Sequence, residues 1–308
     1  MGFGSGVLTG LIAIDGQVFS PEKAAVSAFD RGLLFGDAVF EVMVAFGNKI
    51  LDLDAHLERL HASAAAIALE IPWSNQELSF EVQSLIDQLS LPKGYVRLMV
   101  TRGDGLGLKI RGGERPRRIT YCMPAAHEPA DLYRDGLALK RMIKEDSSRG
   151  AKPKTASYLH TALALKRAAT DGFDEILWSN SDGEISEAAT ANIFFLAREG
   201  DLLEIVTPPA QSGILLGITR GTIMRLLQQA KIPVHEQIIF ADELPRFDEA
   251  FLCSTVRGLV PIHRIDNHRL HSARPQSSFR HVERLFQTWV ATEIGHRVDW
   301  ATGRPTGR

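Results

Sequence analysis

Residues 154–178, KTASYLHTALALKRAATDGFDEILW, contain three structural signals in a row. A lysine opens the stretch, SYLHTALALKRAATDG has apolar residues at helical spacing, and EILWS is a short apolar run typical of a buried strand. A nucleophilic lysine must be held on a rigid element and partly desolvated before its amine can form an imine. Lys154 is therefore the first candidate for a reactive residue, and Lys152, two positions upstream, is the alternative.

The part of the chain before this stretch predicts strand pairs and two amphipathic helices. LIAIDGQVF places two apolar runs around Asp15-Gly16, and FEVMVAF and KILDL flank Gly47-Asn48, which predicts two hairpins. DLDAHLERLHASAAAIAL and SNQELSFEVQSLIDQLSL predict helices, the second with a Ser74/Glu77 capping box. YVRLMVTRG and RRITYCMP predict strands around the glycine-rich loop 103–113.

The part beyond residue 124 predicts a larger, strand-rich region with helices around it. PAAHEPADL at 124–132 has two prolines and no periodicity, and we place the domain boundary there. The predicted domains are 1–125 and 133–308, with 126–132 as the linker. The later strands are GLALKRMI, NIFFL, LEIVTP and DEAFLCSTV, and the later helices are ITRGTIMRLLQQAKI and SSFRHVERLFQTWVATEIG. The fold class is α+β with two domains.

The composition excludes several classes of protein. The chain has 308 residues, 44% hydrophobic and 23% charged, and a formal net charge of -2, which is typical of a soluble globular protein and gives no basic field for nucleic acid. We expect no signal peptide and no membrane span. The two cysteines have no metal-ligand spacing, so we expect no metal site and a cytoplasmic location with both thiols reduced.

Four segments with reactive or phosphate-friendly residues occur in one order along the chain. They are FDRGLLFGDAVFE with LDAHLERL, KTASYLHTALALKRAATDGFDEILW, DGEISEAATANIFF, and ILLGITR with DEAFLCSTV. Together they extend from about residue 29 to about residue 262, and their order and spacing resemble the fold-type IV (class IV) aminotransferases. The resemblance implies a two-domain α+β fold and pyridoxal 5'-phosphate as the cofactor.

The resemblance also implies roles for individual residues. Lys154, four residues before Tyr158, would hold the cofactor as a Schiff base, and Glu187 would keep the pyridine nitrogen protonated so that the ring withdraws electrons more strongly. Gly217-Ile218-Thr219 opens a helix, whose N–H groups and positive end suit a phosphate. The remaining cofactor contacts that the family implies are Tyr158, Arg59, Ser254 and Thr255.

The resemblance implies a transamination and leaves the substrate open among the family's members. Tyr95 and Arg97 lie two apart on a strand, hence on one face, and resemble the residues with which branched-chain enzymes hold a substrate carboxylate. Phe40 and Leu108 complete the predicted substrate contacts. Val42 and Val44 depart from the branched-chain pattern. D-amino acid transamination, R-amine transamination and aminodeoxychorismate lysis are alternatives, as is a non-enzymatic paralogue. The family implies amino acid and 2-oxo acid substrates and a homodimer or higher homo-oligomer.

Overall fold

The computed structural model describes residues 9–110, 112, 114–144, 150–200 and 202–306. They form two compact units. The first unit contains the chain as far as His127, then Pro153–Ser157, and the chain from Glu293 onward; the second contains Glu128–Lys152 and Tyr158–Thr292. The predicted domain limits concern independently folding parts of the chain and stay a prediction.

The first unit combines one sheet with two long helices. Its elements are β1 (Leu11–Ile14), β2 (Gln17–Phe19), α1 (Arg31–Phe35), β3 (Ala38–Phe46), β4 (Lys49–Ile50), α2 (Leu53–Ala66), α3 (Asn75–Leu89), β5 (Lys93–Thr101) and β6 (Arg117–Pro124). The six strands are antiparallel in the order β2-β1-β6-β5-β3-β4. The predicted Asp15-Gly16 hairpin is confirmed, and both turn residues have positive φ, as a tight two-residue hairpin turn requires.

One face of this sheet, the packed face, is covered by α2 and α3. Residues directly opposite in an antiparallel pair share a face, so Met43, Val96 and Cys122 lie side by side there. They pack with Leu57 and Leu60 of α2 and with buried residues of α3 in one apolar core. The predicted Ser74/Glu77 capping box begins α3.

The opposite face of the same sheet carries polar and aromatic side chains. Val42, Arg97 and Tyr121 lie opposite one another on adjacent strands, and so do Val44, Tyr95 and Met123. Phe40 lies two residues along β3 from Val42 and shares its face. We call this surface the cationic face, because Lys154 and Arg97 lie on it against the ring of Phe40.

The second unit is built on a nine-stranded mixed sheet with helices around it. Its elements are α4 (Ala130–Asp135), β7 (Leu137–Ile143), α5 (Leu159–Thr170), β8 (Glu175–Ser179), β9 (Ile185–Ala188), β10 (Asn192–Glu199), β11 (Leu202–Thr207), α6 (Ile218–Gln229), β12 (Val234–Glu236), β13 (Glu249–Ser254), β14 (Gly258–Ile265), β15 (His268–Arg269) and α7 (Ser278–Ile294). The strand order is β12-β11-β10-β13-β14-β7-β8-β9, and β15 pairs with β14. Apolar side chains from β7, β10, β13 and β14 form its largest core.

The structure differs from the sequence-based elements in several places, of which three are the clearest. KILDL is a strand only over Lys49–Ile50, because the chain then turns through Asp52, which has positive φ, into α2. The predicted linker 126–132 is partly helical, since α4 begins at Ala130. The short helix α1 was not predicted. No helix of the described ranges is long and apolar enough to cross a membrane.

Candidate active site

Lys154 lies at the edge of the first sheet, beside the start of β3. Val39 and Thr155 form an isolated antiparallel bridge, so Lys154 lies opposite Phe40 and on the same face as its ring. The N–H of Phe40 donates to the carbonyl of Lys154 at 3.1 Å, and the N–H of Ala156 donates to Ala38 at 3.0 Å. Although Pro153–Ser157 has no regular structure, the sheet therefore holds its backbone in register.

Two cations share the ring of Phe40 on the cationic face. The Nζ of Lys154 lies 4.8 Å from the ring centroid, and the guanidinium carbon of Arg97 lies 3.7 Å from it. Both distances are within the range of an attractive cation–π contact. The structure thus brings together Lys154, Phe40 and Arg97, which the sequence analysis assigned separately to catalysis and to substrate binding.

Two tyrosines stand next to these cations on the same face. Tyr95 is two residues from Arg97, and Tyr121, which the sequence analysis did not name, is directly opposite Arg97. Burial raises the pKa of the Tyr121 phenol, and the nearby Arg97 only partly opposes this effect. Tyr121 is therefore a neutral hydroxyl at neutral pH, able to donate a hydrogen bond.

Arg59 lies on α2 and is bound to a buried carboxylate on the packed face. Its Nε and Nη2 donate to the two oxygens of Glu41, each at 2.7 Å, and the Nδ1 of His56 is also 2.7 Å from Glu41. Glu41 is fully buried, whereas the Arg59 side chain keeps 15% of its surface exposed. The sequence analysis named Arg59 as a cofactor contact, and it did not identify Glu41.

The Glu41 cluster has a definite charge state. Burial alone would raise the pKa of Glu41, but the hydrogen bonds and charges of Arg59 and His56 outweigh it and lower that pKa to about 2. Burial lowers the pKa of His56, although Glu41 opposes this. His56 is therefore neutral at neutral pH, and its Nδ1 must carry the proton that it donates to the carboxylate. One arginine and one carboxylate balance each other there.

Leu108, the remaining predicted substrate contact, lies in the loop after β5 and is 77% exposed. The loop is anchored to α1: Arg31 donates to the Gly107 carbonyl at 2.5 Å, and Gly105 donates to Phe29 at 3.0 Å. Leu106, Leu33 and Phe29 are exposed in the same region. Within this chain, α1 and the loop form an exposed apolar surface.

Glu187 belongs to the second unit, on the last part of β9. Its Oε2 accepts hydrogen bonds from the N–H of Leu215 at 2.9 Å and from the side-chain amide of Asn192 at 3.3 Å. The same amide donates to the Leu215 carbonyl at 2.9 Å. Asn192, which the sequence analysis quoted only within a motif, fixes the Glu187 carboxylate to the chain segment that leads into α6.

The start of α6 has the form expected for binding an anion. Gly217 occupies the N-cap position and provides no side-chain cap, so Ile218 and Thr219 begin the helix as predicted. A Cβ at Gly217 would collide with Oδ1 of Asn192, which explains the glycine.

Ser254 ends β13 and Thr255 follows it, both partly buried. Tyr158 is at the N-cap position of α5, and the alternative lysine, Lys152, donates its N–H to Ile214.

Comparison with known proteins gives one consistent result. The family model described as amino-transferase class IV matches residues 38–265. A protein of Methanocaldococcus jannaschii, provisionally named a branched-chain-amino-acid aminotransferase, is 31% identical over 93% of this chain and 98% of its own. A D-alanine aminotransferase of Bacillus licheniformis is 28% identical over 93% and 99%. The solved branched-chain amino acid aminotransferase of Escherichia coli has a TM-score of 0.83 at 24% identity, covering 94% of this chain and 97% of that one.

Proposed function

Because this chain belongs to the class IV aminotransferase family, we propose that it is a transaminase that moves the amino group of a branched-chain L-amino acid to a 2-oxo acid such as 2-oxoglutarate. The observation that carries the proposal is the cationic face, where Lys154 and Arg97 lie against the same ring of Phe40. A nucleophilic amine lies here beside a guanidinium that can bind a carboxylate, and this pair suits an amino acid substrate.

The candidate residues fit pyridoxal 5'-phosphate, the cofactor on which the family depends. We assign Lys154 to the cofactor's aldehyde carbon, Glu187 to its ring nitrogen, and Arg59, Ile218, Thr219, Ser254 and Thr255 to its phosphate, with Tyr158 as a further contact. The side chains supply the matching chemistry: an amine, a carboxylate oriented by two donors, and a helix start without a side-chain cap. When bound, the cofactor supplies an electron-withdrawing ring that makes the substrate's α-proton acidic.

The protein's own groups then have distinct tasks. Lys154 Nζ would take the α-proton of the substrate as a general base and then, as a general acid held at the same position, deliver it to the cofactor's aldehyde carbon. Glu187 would keep the ring nitrogen of the cofactor protonated. Arg97, with Tyr95 and Tyr121 beside it, holds the substrate carboxylate. Two successive half-reactions of this kind, first with an amino acid and then with a 2-oxo acid, give ping-pong kinetics.

D-amino acid transamination is the second candidate for the substrate. The Bacillus licheniformis relative is a D-alanine aminotransferase, and its identity to this chain is close to that of the first relative. Val42 lies directly opposite Arg97, so the cationic face carries a branched side chain where the branched-chain pattern has glycine. R-amines and aminodeoxychorismate are the remaining alternatives, and an R-amine without a carboxylate would make less use of Arg97.

A homodimer is the assembly that we propose. Leu108 and Leu106 are 77% and 74% exposed on a loop anchored to α1, and an apolar surface of this kind is typical of a contact with another chain. Leu108 would then reach a substrate as part of the assembled protein rather than within one chain.

Cys122 and Cys253 are free and buried, in agreement with the cytoplasmic location expected from the sequence.

One set of assays tests the proposed function. Purified protein is examined for an absorbance band near the visible edge, then reduced with borohydride and mapped by peptide mass, with the label expected on Lys154. Glutamate formation from 2-oxoglutarate is measured with L-leucine, and pyruvate is the acceptor for D-amino acids and R-amines. Higher kcat/KM for L-leucine supports the branched-chain assignment. Higher kcat/KM for a D-amino acid would replace it, and no chromophore would overturn the transaminase proposal.

A further inference from the structure

The backbone of Lys154 is held on both sides by hydrogen bonds. Its carbonyl accepts from Phe40, as described above, and its N–H donates to the Oγ of Ser63 at 3.1 Å. Ser63 lies on α2 and is buried. The first contact belongs to the sheet and would form with any residue at position 40, whereas the second depends on one particular side chain.

A serine at position 63 has no obvious reason in terms of helix stability. It stands in the run HASAAAIA, where its neighbours on both sides are alanines. Serine favours a helix interior less than alanine does, and a buried hydroxyl is unfavourable unless it is hydrogen bonded. The amide of Lys154 provides that bond. Alanine at position 63 would suit the helix better, so the contribution of the hydroxyl lies in its bond to the Lys154 amide.

Helix α2 is itself fixed against β3 at a second point. His56 and Arg59, one to two turns before Ser63 on the same side of the helix, bind Glu41, which follows Phe40 in the chain. Ser63 therefore belongs to a helix that is anchored beside the strand that Lys154 contacts. A hydroxyl on such an anchored helix can fix the position of the lysine backbone relative to the sheet.

We propose that Ser63 is a positioning residue, which fixes the backbone N–H of Lys154 and thereby the place of its Nζ. The proposal rests on the proposed function in one respect, since it takes Lys154 as the reactive lysine. Its expected size follows from one neutral hydrogen bond, whose loss changes an equilibrium or rate by roughly three- to tenfold.

The test compares Ser63→Ala with Ser63→Thr, which restores a hydroxyl, in the holoenzyme. Ser84→Ala is the matched control, because Ser84 is also a helical serine of the first unit but accepts a hydrogen bond from Gln88 on α3. Five quantities are measured for each variant: the single-turnover rate with an amino acid, the KM, the dissociation constant for pyridoxal phosphate, the hydrogen-exchange rate of the Lys154 amide, and the melting temperature.

Ser63→Ala should slow the single turnover by roughly three- to tenfold and speed exchange of the Lys154 amide by a similar factor. KM and cofactor affinity should stay within about twofold. The melting temperature should change little, because the higher helix propensity of alanine offsets the lost hydrogen bond. Ser63→Thr should recover most of the rate, and Ser84→Ala should match the unaltered protein. An unchanged rate in Ser63→Ala, or a loss that Thr does not recover, overturns the proposal.

Borohydride mapping of the unaltered protein separates a failure of the proposed function from a failure of the positioning role. Label away from Lys154 defeats the proposed function. Label on Lys154 with an unchanged Ser63→Ala rate defeats only the positioning role.

Discussion

The two faces of the first sheet differ in how their charged side chains are balanced. Glu41 and Phe40 are neighbours on β3, yet Glu41 lies on the packed face with Arg59 and His56, and Phe40 lies on the cationic face with Arg97 and Lys154. On the packed face an anion is balanced by an arginine in a buried, hydrogen-bonded cluster. On the cationic face two positive groups share one aromatic ring. One strand thus carries a buried ion pair on one side and, on the other, the two positive groups that we propose act on the substrate.

Replacing the amine on the cationic face should have the largest effect on turnover. Lys154→Ala removes the group that we assign to both cofactor attachment and proton transfer, so turnover should fall nearly to zero. Steady-state assays and borohydride labelling measure the loss. Lys152→Ala is the control and should keep the label on Lys154. Label on Lys152 in the unaltered protein would contradict the assignment.

A glutamate of the second unit gives a contrast with Glu41 under the same substitution. Glu187→Gln should lower kcat by about 10²- to 10³-fold, because a neutral amide no longer stabilises the positive ring nitrogen that we assign to it. The cofactor should remain bound through its phosphate, which a spectrum of the dialysed protein checks. Full activity would show that Glu187 does not face the ring.

Glu41→Gln, on the packed face, should act mainly on stability. Removing one partner of a buried ion pair costs about 3–5 kcal/mol of unfolding free energy, since Arg59 loses its charged acceptor. Chemical denaturation measures the difference. Glu58→Gln is the control, because Glu58 is an exposed glutamate on α2, next to Arg59. It should change the free energy of unfolding by less than about 0.5 kcal/mol. Equal effects of the two substitutions would remove the distinction between the faces.

The stabilisation by Glu41 should depend on pH in a defined direction. Its pKa is lowered in the folded protein from 4.5 to about 2, so its contribution is complete above the unfolded value and is lost as the pH falls through that interval. The free-energy difference between the unaltered protein and Glu41→Gln should therefore be constant near neutral pH and decrease below about pH 4.5. A difference that does not change down to pH 3 would contradict the ion pair.

Arg97→Met should have the smallest effect of the four substitutions, limited to substrates with a carboxylate. Loss of a charge-assisted hydrogen bond costs about 1.5–3 kcal/mol, which raises KM for amino acids roughly ten- to a hundredfold. An R-amine without a carboxylate should lose little, and a melting curve serves as the stability control. Equal losses for both kinds of substrate would assign Arg97 to the structure of the cationic face instead of to substrate binding.

Local patterns were sufficient to predict most of the fold. The Asp15-Gly16 hairpin, the Ser74/Glu77 cap and the later helices each depend on residues close together in the chain, and all are found. α1 was missed although Asp30 caps its start and a left-handed Gly36 ends it, because five residues are too few to show helical periodicity. β14 contains Pro261 in mid-strand, which conceals it in the sequence.

The candidate site was less accessible to sequence reasoning, because it depends on register between distant segments. Alternation predicted that Tyr95 and Arg97 share a face, but the approach of Lys154 to Phe40 requires the Val39 and Thr155 bridge, which no local pattern signals. Glu41 and Arg59 are 18 positions apart and meet only when α2 packs on β3. An acidic residue within an apolar strand pattern is the one sign that could have drawn attention to Glu41.

The close approach of Gly217 to Asn192 limits how this protein can be redesigned. A serine or threonine at the N-cap of α6 would ordinarily stabilise the helix by roughly a few tenths of a kcal/mol relative to glycine, so a stability-guided protocol would favour it at position 217. Any such side chain would push against the Asn192 amide, which holds both Glu187 and Leu215. A gain in helix stability would thus come with a displaced carboxylate. Positions 192 and 217 therefore form one unit of design, to be exchanged together or left as they are.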